Sequence, residues 1–180
     1  MDWMEEAAMR QKRGCQLLLA RNSECLQPLS CLLCHASRRA VVLWALELGA
    51  GAVAALEQRY PEEPRPRAAL EGAVAWAAGR IQMPRARRLI LDCHALAREL
   101  TDPADIALCH AVGQACAVVH TPGHALGFPM YELTALIRRH GLTGSRDAVE
   151  TRLQVYADRL RYHLSGADDP TRDWAPFLRS

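Results

Sequence analysis

Gly113, Ala117, His120 and His124 fall at i, i+4, i+7 and i+11, so on a helix they share one face. The first half of that face is nearly bare backbone, and the second half carries two imidazoles. Small residues let another helix come close. The stretch from Ala111 to Gly127 therefore reads as the central helix of an all-helical domain. Pro122 interrupts it, because the ring removes one amide donor and clashes with the carbonyl four residues back. The helix kinks or ends there. With Thr121 as N-cap and Pro122 in the first turn, a new helix can start at once. In either case the two histidines flank a bend.

The rest of the chain keeps the same helical period. Trp3 to Arg21 reads as a first helix, with Glu5 and Glu6 early and Arg13 and Arg21 late, an order that suits the helix dipole. Ser37 is placed to cap a helix from Arg38 to Tyr60, with Val41, Leu48 and Ala52 on its buried stripe. After Pro61-Glu-Glu-Pro64-Arg-Pro66, a helix runs through Ala69, Ala73 and Trp76 to Gly79. Another spans Arg85 to Glu99 with Leu89, Cys93 and Leu96 on its apolar line. Asp102-Pro103 opens the central helix, and its continuation runs past Pro129 to His140, with Gly141 as the C′ residue. Ser145 is placed to cap a last helix, Arg146 to Ser165. From Asp168 to Ser180 there is little periodicity, and Trp174 and Phe177 are expected to pin that tail to the body.

No stretch alternates with the period of a strand. The fold class that follows is all-α, a single-domain antiparallel bundle of six to seven helices with a proline-kinked or broken central helix. Residues 1–37 form an N-terminal helical arm, 38–140 the core, and 141–180 a C-terminal helix and tail packed on it. Half of the residues are hydrophobic but only 6% are aromatic, so alanine and leucine carry the packing. The formal net charge of +2 argues neither for nor against a nucleic acid. No apolar run is expected to reach the length of a membrane span, and Met1-Asp-Trp-Met-Glu-Glu lacks signal-peptide character. Neither a membrane nor a nucleic acid is expected as a partner. Seven cysteines in such a chain read as reduced thiols, and the expected compartment is the cytoplasm.

One cysteine cluster stands out, Cys25-x5-Cys31-Leu-Leu-Cys34-His35. Its second half matches the attachment sequence of a c-type haem, but that chemistry needs export and a second axial ligand. A zinc site wants a second pair of ligands at comparable spacing, and none follows. The plainer expectation is a short apolar helical turn in which the thiols pack as small hydrophobes. No cofactor is implied.

From Arg38 to Arg139 the chain resembles the immunity proteins of bacterial toxin–immunity systems. The resemblance is carried by Val42-Leu-Trp44-Ala45, by Tyr60-Pro61-Glu-Glu-Pro-Arg65-Pro66-Arg67-Ala-Ala-Leu-Glu71, and by Ala73-x-Ala75-Trp76-Ala77. His94-Ala-x-Ala-Arg98-Glu99, Ala111-x-Gly113-Gln114-Ala-x-Ala117-x-x-His120, His124-Ala125 and Tyr131 complete it. The resemblance implies an all-helical, non-catalytic interaction protein, an antidote that binds a cognate bacterial toxin and neutralises it sterically. Such a surface would bury roughly 1,200–2,000 Å². Arginines are favoured anchors in interfaces of this kind. The candidates for partner contact are Arg65 and Arg67 in the proline-rich turn and Arg85, Arg87 and Arg88 beyond it.

Two other classes compete. His120 and His124 have the i, i+4 spacing of the H-E-x-x-H zinc motif, so a metal-binding protein or metal-dependent enzyme is the alternative. Thr121 stands where the general-base glutamate should be, and His94, Asp92 or Glu99 would have to complete the site. The opposing expectation is that His94, His120 and His124 form a polar site at the helix bend with no metal. There they would satisfy one another, or the carbonyls that Pro122 frees. The third class is a DNA-binding regulator, since Leu133 to Leu153 has the outline of a helix-turn-helix. Its turn is too long, and Asp147 and Glu150 would face phosphate. The spacing leaves the oligomeric state open.

Overall fold

The computed structural model describes residues 2–167 and 169–179. Met1, Asp168 and Ser180, which open the chain and bound the expected tail, lie outside the described residues. The helices are α1 (Trp3–Lys12), α2 (Gln27–His35), α3 (Arg38–Arg59), α4 (Arg65–Ala77), α5 (Met83–Leu96), α6 (Pro103–Ala117), α7 (Gly127–His140) and α8 (Arg146–Gly166). Among the described residues there is no strand, so the fold is all-α. Among the described residues the helices number eight instead of six or seven. The added one is α2, because residues 27–35 carry Pro28 in the first turn and form a full helix where only a turn was expected.

The helix ends follow from local chemistry. Ser37 Oγ accepts from the Ala40 N–H at 3.3 Å, and an Asp102 oxygen accepts from the Ala104 N–H at 2.8 Å, so both act as N-caps. Gly141, at φ 73°, closes α7. The first helix is much shorter than its charge pattern suggested. Gly14 takes φ 69°, its N–H reaches Gln11 O, and the Cys15 N–H reaches Arg10 O. That pair of bonds is a Schellman ending, which only a residue free of Cβ strain adopts readily. Ser145 does not cap α8, since its hydroxyl instead donates to Leu142 O at 3.0 Å.

The central helix is broken. α6 stops at Ala117, and a 3-10 turn at Pro122–His124 leads into α7. α6 packs against α3, α4, α5 and α7, with Ala107, Cys109, Ala111, Ala115 and Cys116 buried along it. Small side chains are what allow so many neighbours to approach one helix. α8 closes on α2, α3 and α7. Trp44, Phe128 and Tyr156 meet edge to face with ring centroids 6.1–6.3 Å apart, and the Trp44 indole N–H donates to Tyr156 O at 2.9 Å. One apolar cluster runs from Trp3 to Leu178.

α3 departs from the sequence expectation in one respect. By length and composition it is apolar enough to cross a membrane, yet 67% of its most apolar window is buried inside the protein. Such a helix is apolar because it is enclosed.

Two buried carboxylates lock helices together. Asp105 on α6 accepts from Arg59 Nε at 2.7 Å, from the Tyr60 hydroxyl at 2.7 Å, and from Arg139 on α7. Burial alone would raise its pKa, but these three bonds win and hold it below the ordinary value of 3.8. Glu132 on α7 accepts two bonds from Arg152 on α8, at 2.7 and 2.8 Å, and one from the Tyr156 hydroxyl.

The tail is fastened at several points. The Ala175 N–H donates to Ala77 O at 2.7 Å, Arg38 donates to Phe177 O, and Arg39 donates to Leu178 O. Trp174 is buried, and Phe177 packs on Trp76 with ring centroids 6.0 Å apart.

Candidate functional site

The polar residues inside α6 gather the candidate site. Apart from Asp105, an otherwise apolar helix carries His110 and Gln114, one turn apart on the same side. His94 reaches them from α5: its Nδ1 lies 3.0 Å from His110 Nδ1, so one ring donates and the other accepts. Tyr131 on α7 packs its ring on His110 at 5.2 Å. His124, in the turn between α6 and α7, donates from Nδ1 to Gln114 Oε1 at 2.8 Å. The amide oxygen can only accept, which places the proton on Nδ1.

Two glycines make room for this cluster. A Cβ at Gly113 would lie 2.3 Å from the His94 ring, and one at Gly127 would lie 2.3 Å from Gln114 Oε1. The bareness of the α6 face therefore admits a neighbour's imidazole instead of a neighbour's backbone.

The cluster is electrically quiet. Burial pushes the His94 pKa down to about 4, helped by His110 and His124. Burial also lowers His110 and His124, the latter with a contribution from Arg21. All three rings are thus neutral at neutral pH.

His120 does not join them. It is exposed, its ring stacks on Trp76 at 5.7 Å, and it meets Phe177 edge-on at 6.4 Å. The helical face expected to unite His120 with His124 ends where α6 ends, three residues before His120. The carbonyls at the bend are served by another donor, since Arg38 reaches Val119 O at 3.3 Å and His120 O at 3.0 Å. Among the described residues no group of three His, Cys, Asp or Glu side chains is arranged to hold a metal ion.

The arginines named as partner contacts sort into two kinds. Arg65 is tied to Glu63 at 2.7 Å and to Glu99 at 2.6 Å, and Arg67 is tied to Glu57 at 2.6 Å. Arg85, Arg87 and Arg88 are exposed on α5 and make no ion pair among the described residues. In the would-be helix-turn-helix, Asp147 and Glu150 stand exposed on the first turns of α8, and Arg146 is engaged by Asp2 and Glu150.

The thiols also divide. Cys31 and Cys34 are exposed on α2, so they do not pack as hydrophobes. Cys25 is half-buried with its pKa pushed up to about 11, first by burial and then by Glu6. Burial raises Cys93, Cys109 and Cys116 to about 12.

The family model described as "Imm-5 like putative immunity protein" matches residues 32–160. The chain belongs to that family. No curated protein and no solved structure matches it. Within this Imm-5 like chain the match reaches well beyond residues 38–139, taking in most of α8. It contains every member of the histidine cluster and leaves α1 and the C-terminal tail outside.

His110 and Asp105 are not among the residues that sequence reasoning picks out, and Gln114 enters it only as part of the family motif, with no role assigned. The signal that finds them is simple: they are the polar side chains inside a helix that is otherwise apolar all round.

Proposed function

We propose that this protein is a non-catalytic antidote that binds a cognate bacterial toxin and covers its working surface. The observation that carries the reading is family membership over most of the chain. Two features support it. The histidines are engaged with one another, with Gln114 or with aromatic rings, which suits a scaffold better than a reaction centre. The arginines on α5 that make no ion pair among the described residues offer an accessible surface of the residue type that anchors interfaces. The free thiols fit a reducing compartment, so the proposed location is the cytoplasm.

The test is co-expression with the protein encoded beside it. Rescue of growth together with a complex on a sizing column supports the antidote. A chain that neither rescues nor associates with that product sinks the assignment.

A further inference from the structure

Arginine is this fold's main internal donor. Arg59, Arg65, Arg67, Arg139, Arg152 and Arg159 are held in ion pairs, and several others bind backbone carbonyls. Against that background one segment differs. Arg80, Arg85, Arg87, Arg88 and Arg98 are all exposed, and none makes an ion pair among the described residues. Between residues 80 and 98 the acidic residue that could offset them is Asp92. The positive charge of the chain is thus concentrated on and beside α5.

The placement opposes what helix stability asks for. α5 begins at Met83, has no acidic residue in its first turn, and puts Arg85, Arg87 and Arg88 in its first two turns. Cations there face the positive end of the helix dipole, and like charges three residues apart repel. α1 shows the ordinary arrangement, with Glu5 and Glu6 in the first turn and Arg10 and Lys12 in the last. The inner side of α5 serves the fold, with Ala86, Ile90, Cys93 and Leu96 buried, Leu89 against Gly72 of α4 and His94 against Gly113 of α6. On the outer side Leu91 is 52% exposed and lies one turn beyond Arg87 and Arg88, and Met83 is 40% exposed at the helix start. A large exposed apolar side chain with unneutralised guanidinium groups on the turn before it is the composition of an interface anchor beside a charged rim.

We propose that the outer face of α5 docks an acidic face of a partner protein, with Leu91 at the centre and Arg85, Arg87 and Arg88 pairing with carboxylates around it. This rests on the antidote reading and deepens it: the toxin presents a carboxylate-rich surface to this helix. Guanidinium forks match carboxylates bidentately, and the partner's charge relieves the repulsion that α5 carries alone. The central leucine and Asp92 on the same face favour a protein over a phosphate backbone.

The test compares the full-length wild type with R85E/R87E/R88E, L91A and a control reversal at the C-terminal end of α1, K12E/R13E. In co-expression with the protein encoded beside it, wild type and the α1 control should rescue growth and co-elute, and the α5 reversal should do neither. L91A should weaken the complex about tenfold or more, as loss of a central anchor does. Rescue by wild type and by the α5 reversal alike overturns this proposal while the antidote reading stands. Failure of wild type to rescue overturns the antidote reading, and a second arm then decides the surface. In that arm labelled poly-L-glutamate and duplex DNA are titrated at low and physiological salt. Wild type should bind poly-L-glutamate more tightly than DNA, and the α5 reversal should lose about tenfold or more in affinity while the α1 control does not. No difference between the two reversals, or tighter binding of DNA, overturns the proposal. Circular dichroism melts check folding, and the neutral variant R85A/R87A/R88A should reproduce the losses of the reversal.

Discussion

Gly113 on α6 leaves open the volume that the His94 imidazole of α5 occupies, with the ring 2.3 Å from where a Cβ would stand. A single methyl group cannot share that space. Gly113→Ala should therefore destabilise by about 1–3 kcal/mol, the usual cost of overpacking, and Gly113→Leu should cost more. Chemical denaturation measures both. In a double-mutant cycle His94→Ala should recover part of the loss. An unaltered melt in Gly113→Leu would mean that α5 does not lie against this face.

Acid should unfold the protein through its histidines. The folded His94 takes its proton only near pH 4, against an ordinary value of 6.5, while the unfolded chain takes it first. Its contribution is fully present above about pH 6.5 and is lost as pH falls toward 4. His110 and His124 are shifted in the same direction. Melting temperature measured across that window should drop, and His94→Asn should show a shallower drop than wild type. Identical slopes would remove His94 from the account.

Asp105→Asn should cost about 1–3 kcal/mol, because it weakens the charge-assisted bonds from Arg59, Tyr60 and Arg139 while the two guanidinium groups, each at least a third exposed, stay solvated. The wild-type carboxylate, held below 3.8, gives stability that is present above that value and lost only in stronger acid. Urea unfolding at neutral pH reads the loss, and a change below about 1 kcal/mol would assign the node little weight.

Thiol reactivity should split the cysteines in the native state. Cys31 and Cys34 are exposed, whereas Cys93, Cys109 and Cys116 are buried with their thiols raised to about 12. An aromatic disulfide reagent should label Cys31 and Cys34 quickly and the buried three only after denaturation. Rapid labelling of all seven would contradict the packing around α6.

The elements legible in the sequence are those with a local chemical cause. Ser37, Asp102-Pro103 and Gly141 announce the ends they make, since a cap or a positive φ is decided within a few residues. What escaped was decided across the fold. The histidine face assumed that the period of α6 runs through Pro122, but the helix ends at Ala117, so His120 turns to Trp76 while His124 turns to Gln114. The charges of residues 3–21 suit a long helix, yet α1 stops at Lys12 because Gly14 takes a positive φ. Cys31 and Cys34 were expected inside because nothing local tells a thiol which side of α2 will face solvent.

The enclosure of α6 has a consequence for how such a protein can change over generations. A residue that swells on α6 disturbs α3, α4, α5 and α7 together, so that helix drifts slowly if at all. On the outward side of α5, Arg85, Arg87, Arg88 and Leu91 stand exposed, and the arginines make no ion pair among the described residues. Substitutions there are filtered by whatever the protein meets and not by the need to fold. One short polypeptide should thus diverge at two rates, so that a lineage can alter what it recognises without rebuilding the body that presents it.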